Sequence, residues 1–137
     1  MTEYCPFCDT LLEEHPANRC LDAWVEKARG YDVARRADVD WYGVKNMTGE
    51  FAYRHEGMVF GIVWHSSEWE FAGDLMEEMA EAGLWPALHI STLGSAWVDL
   101  LLPNGDMLVL RGNDAPEAIA RAYIAWRMTE GEKGEGE

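Results

Sequence analysis

Basic residues are scarce in this chain: 11 Lys and Arg stand against 25 Asp and Glu, a formal net charge of −14. Binding a nucleic-acid backbone needs clustered cations that displace counterions, so direct nucleic-acid binding is disfavoured. An acidic surface that imitates DNA is an alternative, but the acids are concentrated along the chain rather than regularly spread, as on an ordinary solvated surface. Long apolar runs are also missing; nothing approaches the roughly 18 consecutive apolar residues of a membrane span. The polar start carries no cationic-then-apolar pattern, so a cytoplasmic location is expected. Cysteine is limited to three residues, which in a reducing compartment read as ligands or free thiols rather than a disulfide framework. No Ser-His-Asp order, phosphate-cradling glycine loop or H-E-x-x-H pattern occurs, and the expectation is a non-enzymatic protein.

What is present is ample core material. The 137 residues are 48% hydrophobic and include seven Trp, enough for one domain that buries roughly two-thirds of its unfolded surface. Leu21, Trp24, Val25 and Ala28 recur at three- and four-residue steps, which predicts a helix opened by His15-Pro16 and stopped at Gly30. Residues 31–49 are mixed, with a short strand expected around Trp41. Phe51 to Trp64 reads as two antiparallel strands turning at residues 55–57. Ser67 and Glu70 form the S-x-x-E pattern of a capping box before a second helix that buries Phe71, Leu75 and Met79. A strand at 87–92 precedes the segments SAWVDLLL and MLVLR, which flank P-N-G-D. Asn104-Gly105 there suits a tight turn with positive φ angles. Asp114 caps a third helix with Ala118, Ile119, Ala122, Tyr123 and Trp126 buried, its small residues allowing close approach to a sheet. The fold class is therefore α+β: an antiparallel-rich sheet with three helices packed on it. The tail TEGEKGEGE lacks apolar side chains, and residues 128–137 are expected to be a disordered acidic tail.

The stretch YCPFCDTLLEEHPANRC, residues 4–20, carries the chemistry. Cys5 and Cys8 are two thiols spaced so that one turn can aim both sulfurs at a tetrahedral ion, with His15 and Cys20 to complete it. Three thiolates around a divalent zinc leave a net charge of about −1. Because His15 and Cys20 are five positions apart, the set closes only if His15 precedes the helix. Otherwise His55, His65, His89 or a carboxylate would have to serve. Two other readings are open: incidental thiols, and a redox pair. C-P-F-C also stands at glutaredoxin-like sites, where a buried strand precedes it; only MTEY precedes it here. The expectation is a structural zinc in a knuckle-like segment, residues 1–20, held by Cys5, Cys8, His15 and Cys20. Four clustered ligands leave no open position for catalysis.

Aromatic walls suit flat ligands. Trp41, Trp64 and Trp69, with His65 at a strand–helix junction, are the candidate lining of a groove, and Trp85 is a further pocket candidate. Arg35, Arg36 and Arg111 are the candidate cations; the plain alternative for each is a salt bridge to the acid excess.

The helix NRCLDAWVEKARG, the segment HSSEWEFAGDLMEEM, the hairpin, and the last helix DAPEAIARAYIAW together resemble the phage ABA-sandwich domain family. The matching positions are Leu21, Asp22, Val25, Ser66 or Ser67, Ala115, Pro116, Ala118, Ile119 and Ala122, over roughly residues 18–127. The resemblance implies a three-layer α-β-α sandwich of phage or prophage origin, to which the N-terminal cysteines are an addition, and it carries over no reaction. It points to an accessory protein that binds a small ligand, such as a host signalling nucleotide, or a host or phage protein. An acidic inhibitor of a host factor and a metal-dependent enzyme are the alternatives.

Overall fold

The computed structural model describes residues 4–16 and 18–135; the first three residues of the knuckle-like segment, Ala17, and the last two of the tail lie outside them. After a short 3-10 helix at Leu12–Glu14 come helix α1 (Arg19–Ala28), strand β1 (Asp32–Arg35) and two further 3-10 turns. Strands β2 (Phe51–His55) and β3 (Met58–Gly61) lead to helix α2 (Trp69–Glu81). Strands β4 (Trp85–Ile90), β5 (Ala96–Leu101) and β6 (Met107–Gly112) precede helix α3 (Ala115–Glu135). The α+β class stands, with three helices and antiparallel strands. The strands divide into two sheets, ordered β1-β2-β3 and β4-β5-β6, rather than one.

Helix α3 is the centre. Every residue from Ala115 to Trp126 is buried, as expected of a helix enclosed on all sides. It packs on β4, β5 and β6 and also meets α1 and α2, while α1 packs on β1 and β2. The helices thus lie between the sheets in order of contact. The alanine-rich sequence permits this because small side chains let neighbouring backbones approach. At Gly112, which ends β6, an added Cβ would stand 2.6 Å from the Ala118 backbone nitrogen and 3.0 Å from the Asp114 carbonyl oxygen.

Several boundaries differ from expectation, each for a local reason. Helix α1 begins at Arg19, not at His15-Pro16, because Asn18 is extended and its side chain accepts from the Leu21 N–H at 3.0 Å. The four apolar positions predicted for α1 are buried, and Gly30, at φ +102°, ends it. The strand expected near Trp41 lies instead at Asp32–Arg35, where β2 offers it a partner. Helix α2 starts at Trp69 with Glu68 at its cap and no side-chain capping bond, so the Ser67–Glu70 box does not form. In the β5–β6 connection only Gly105 has positive φ; Asn104 instead accepts from the Asp106 N–H at 2.9 Å. Helix α3 continues to Glu135 through residues expected to be disordered. Once a helix is nucleated in a core, each added residue gains a backbone bond, and the Met, Glu and Lys of this segment are good helix formers, whereas its two glycines are not. No helix among the described residues is long and apolar enough to cross a membrane.

Gly112→Ala is expected to destabilise the protein by about 1–3 kcal/mol, since backbone rather than a flexible side chain must yield. Urea unfolding should show a lower midpoint at unchanged slope; an unchanged midpoint would mean α3 and β6 are less closely fitted than the geometry indicates.

Candidate metal centre

The N-terminal segment folds back on itself through a bridge between Tyr4 and Leu11, which places the C-P-F-C turn beside the start of α1. Cys5 and Cys8 come from this turn and His15 from the extended residue that ends the first 3-10 helix. Cys20 comes from the first turn of α1. Their ligand atoms all lie within 4.8 Å of one another. Cys5 Sγ is 3.4 Å from Cys20 Sγ, and Cys8 Sγ is 3.3 Å from His15 Nε2. A tetrahedron with metal–sulfur bonds of about 2.3 Å has edges of about 3.8 Å, so small side-chain adjustments close the set. His15 precedes the helix, which meets the geometric condition set by the spacing.

The surroundings prepare the donors. His15 Nδ1 donates to the Pro16 carbonyl at 2.9 Å, which leaves the Nε2 lone pair facing the sulfurs; an outer hydrogen bond of this kind fixes ring orientation at metal sites. Burial lowers the affinity of His15 for a second proton, and the nearby Arg121 adds to this against opposing contributions from the Pro16 carbonyl and Glu117. Burial pushes the Cys5 and Cys20 thiols up. For Cys8, burial acts upward but hydrogen bonds to Thr10 and the neighbouring cysteines outweigh it, and its thiol is lowered. The Phe7 N–H donates to Cys5 Sγ at 3.5 Å.

This cluster is part of the core. Cys5, Leu12 and His15 are buried, and the His15 ring lies 6.0 Å from that of Trp24. The His15 carbonyl accepts from the Arg121 guanidinium of α3. Arg121 also donates to the Arg111 carbonyl and to Glu117, each at 2.7 Å, and Glu117 accepts from the Asn113 N–H at 2.9 Å. The periodicity hid this network, although Glu117 and Arg121, four apart within an alanine-rich stripe, were its visible signal.

Arg54 lies over Trp41 at 4.8 Å and Arg19 over Trp64 at 3.9 Å, while Trp69 is exposed at the start of α2. His65 is buried, its Nε2 against the Glu26 carboxylate and its Nδ1 without a hydrogen-bond partner among the described residues. Arg35 pairs with Glu50 and donates to the Phe7 carbonyl; Arg36 donates to the Gly49 and Val44 carbonyls. None of these residues lines the described cavities. Arg111 does: with Trp97 and Ser95 it borders a space of about 460 Å³.

A second buried polar group joins α1 to the β3–α2 connection. Asp22 accepts from the Ser66 N–H at 2.7 Å and from Arg19 at 2.9 Å. Burial raises the Asp22 carboxyl above its ordinary range despite both donors. The folded state therefore holds this proton more tightly than the unfolded state. The resulting stabilisation is full below the ordinary carboxylate value of about 3.9 and is lost as pH rises through the raised folded value.

Two outcomes follow. In urea titrations over that pH window, the stability difference between wild type and Asp22→Asn should shift in favour of Asn as pH rises; a pH-independent difference would mean Asp22 is unperturbed. Arg121→Met should cost about 3–5 kcal/mol because Glu117 is left buried without its partner, and adding Glu117→Gln should recover part of the loss. No protein-family model, curated protein or solved structure matches the chain.

Proposed function

We propose that Cys5, Cys8, His15 and Cys20 hold one structural zinc ion in a non-enzymatic binding module. The observation that carries this reading is the closed donor set: four ligand atoms within 4.8 Å, drawn from a turn, an extended residue and a helix, three of them thiols. Three sulfurs and an imidazole in a small tetrahedral space suit zinc, and four protein ligands fill the shell of a structural site rather than leaving the position a catalytic ion needs. The phage accessory character belongs to the same reading and rests on the sequence resemblance of the helices and the hairpin alone.

The small-ligand form of this reading is favoured at a different place from the Trp41–Trp64–Trp69 groove. Trp97, stacked on His89 at 4.9 Å, and the exposed Arg111 border the same cavity, with Glu13 and Glu117 also on its lining, so an aromatic residue and a cation are available to a flat anionic ligand there.

Protein purified without chelator is expected to contain one zinc per chain by elemental analysis. Its cobalt derivative should show intense thiolate-to-metal absorption that added azide leaves unchanged. Chelation should lower the Tm, and zinc at a hundredfold excess over Kd should restore about 2.7 kcal/mol. Metal affinity should rise with pH, because the thiols must lose protons to bind. A melting temperature indifferent to zinc, with all three thiols alkylated in the native state, would remove the proposal. An azide-sensitive cobalt spectrum would favour the enzyme alternative instead.

A further inference from the structure

Between α2 and the edge strand β4 runs an open apolar groove of about 670 Å³, bordered by Gly73, Met76 and Ala80 on the helix and Leu84, Trp85 and Pro86 on the opposite side. Its size falls within the roughly 300–1,000 Å³ of binding clefts. Trp85 is 74% exposed, a large apolar wall left in solvent. Gly73 has nothing within 4 Å of where a Cβ would stand. It lies seven residues from Ala80, so two small residues repeat about two helical turns apart on this border. A second helix can approach the backbone of α2 along such a line.

The rim has one sign of charge. Helix α2 carries Glu70, Asp74, Glu77, Glu78 and Glu81 and no Lys or Arg. Only Glu78 has a basic partner among the described residues, Arg29 at 3.2 Å. The last turns of a helix present the negative end of its dipole, yet the last turn of α2 has no basic residue. Glu77 and Glu81 are thus held where both the dipole and each other oppose them. A cationic occupant relieves this repulsion while it covers Trp85. A second copy of a chain with net charge −14 brings more of the same sign.

We infer that this groove binds a cationic amphipathic helix of a partner protein, with apolar side chains anchored against Met76, Leu84 and Trp85 and Lys or Arg facing the acids of α2. Helix-in-groove recognition supplies the anchoring, and the acidic rim supplies orientation and encounter rate. This names a partner class for the binding-module reading and rests on it.

The test uses the full metal-loaded chain and a labelled peptide of about 15 residues, leucine and lysine set at helical spacing. The controls are the same composition in strictly alternating order and oligolysine of equal charge. Saturable 1:1 binding of the helical peptide alone is expected, weakening at least about tenfold in Trp85→Ala and in Ala80→Glu, which fills the groove while adding an acid. Asp74→Asn with Glu77→Gln should weaken it severalfold and flatten its salt dependence. All four positions are exposed, and unchanged zinc content and Tm establish that the variants fold. Equal binding by every variant, or equal binding of oligolysine, would overturn the groove but leave a binding module. No binding by the intact protein would also overturn it; the binding-module reading falls with it only if nucleotides likewise leave the Tm unmoved. A dimer abolished by Ala80→Glu would make the occupant a second copy and overturn the cationic partner.

Discussion

A guanidinium in the middle of the most enclosed helix sets the terms for the rest of the molecule. Arg121 sits on α3 among residues buried on every side, and a charge there must be paired and hydrogen-bonded to be tolerated. Its partners are the Glu117 carboxylate, the Arg111 carbonyl at the end of β6 and the His15 carbonyl in the N-terminal segment. Each comes from a different part of the chain. A buried pair of this kind is weak evidence for added stability, but it is intolerant of alternatives. Shifting α3 along the sheet takes the Arg111 carbonyl from the guanidinium, and letting the N-terminal segment leave takes the His15 carbonyl, while Glu117 moves with the helix. The close passage of Gly112 against Ala118 imposes the same register sterically.

The donor cluster inherits its order from that arrangement. The C-P-F-C turn and the Asn18 cap are local, encoded within a few residues of each ligand. What holds His15 between them is long-range: its carbonyl is bound to α3 and its ring packs near Trp24. Its Nδ1 is occupied by the adjacent Pro16 carbonyl, so the ring has little choice of which nitrogen to present. Local geometry therefore gathers the sulfurs, and the core aims the imidazole.

Much of this was legible in the sequence where periodicity and spacing carry the information. The α1 face at Leu21, Trp24, Val25 and Ala28, the Gly30 stop, the 55–57 turn and the cap at Asp114 all follow from side-chain period and turn chemistry. The gathering of the four Cys and His ligands followed from their spacing. Features decided by partners distant in sequence were not legible. Trp64 looks like a free aromatic until Arg19, from another element, is found over its ring. Arg35 and Arg36 look available until the carbonyls of Phe7 and Gly49 are seen to accept from them. The position of β1 depends on β2, and the apolar content near Trp41 says nothing of that. The burial of Asp22 and Glu26 was not legible because their partners, Ser66 and His65, lie about forty positions away.

Phe7 and Cys20 pack against both apolar clusters, the larger around α3 and the smaller formed by Ala23, Val33, Phe51 and Ile62. One is a flank of the donor turn and the other a donor. The N-terminal segment thus joins helix α1, which packs on both α3 and β1–β2, in linking the two cores. Loosening it exposes a seam through the domain rather than fraying an end. The donor turn therefore contributes, together with α1, to the coupling between the two halves on which unfolding in a single step depends.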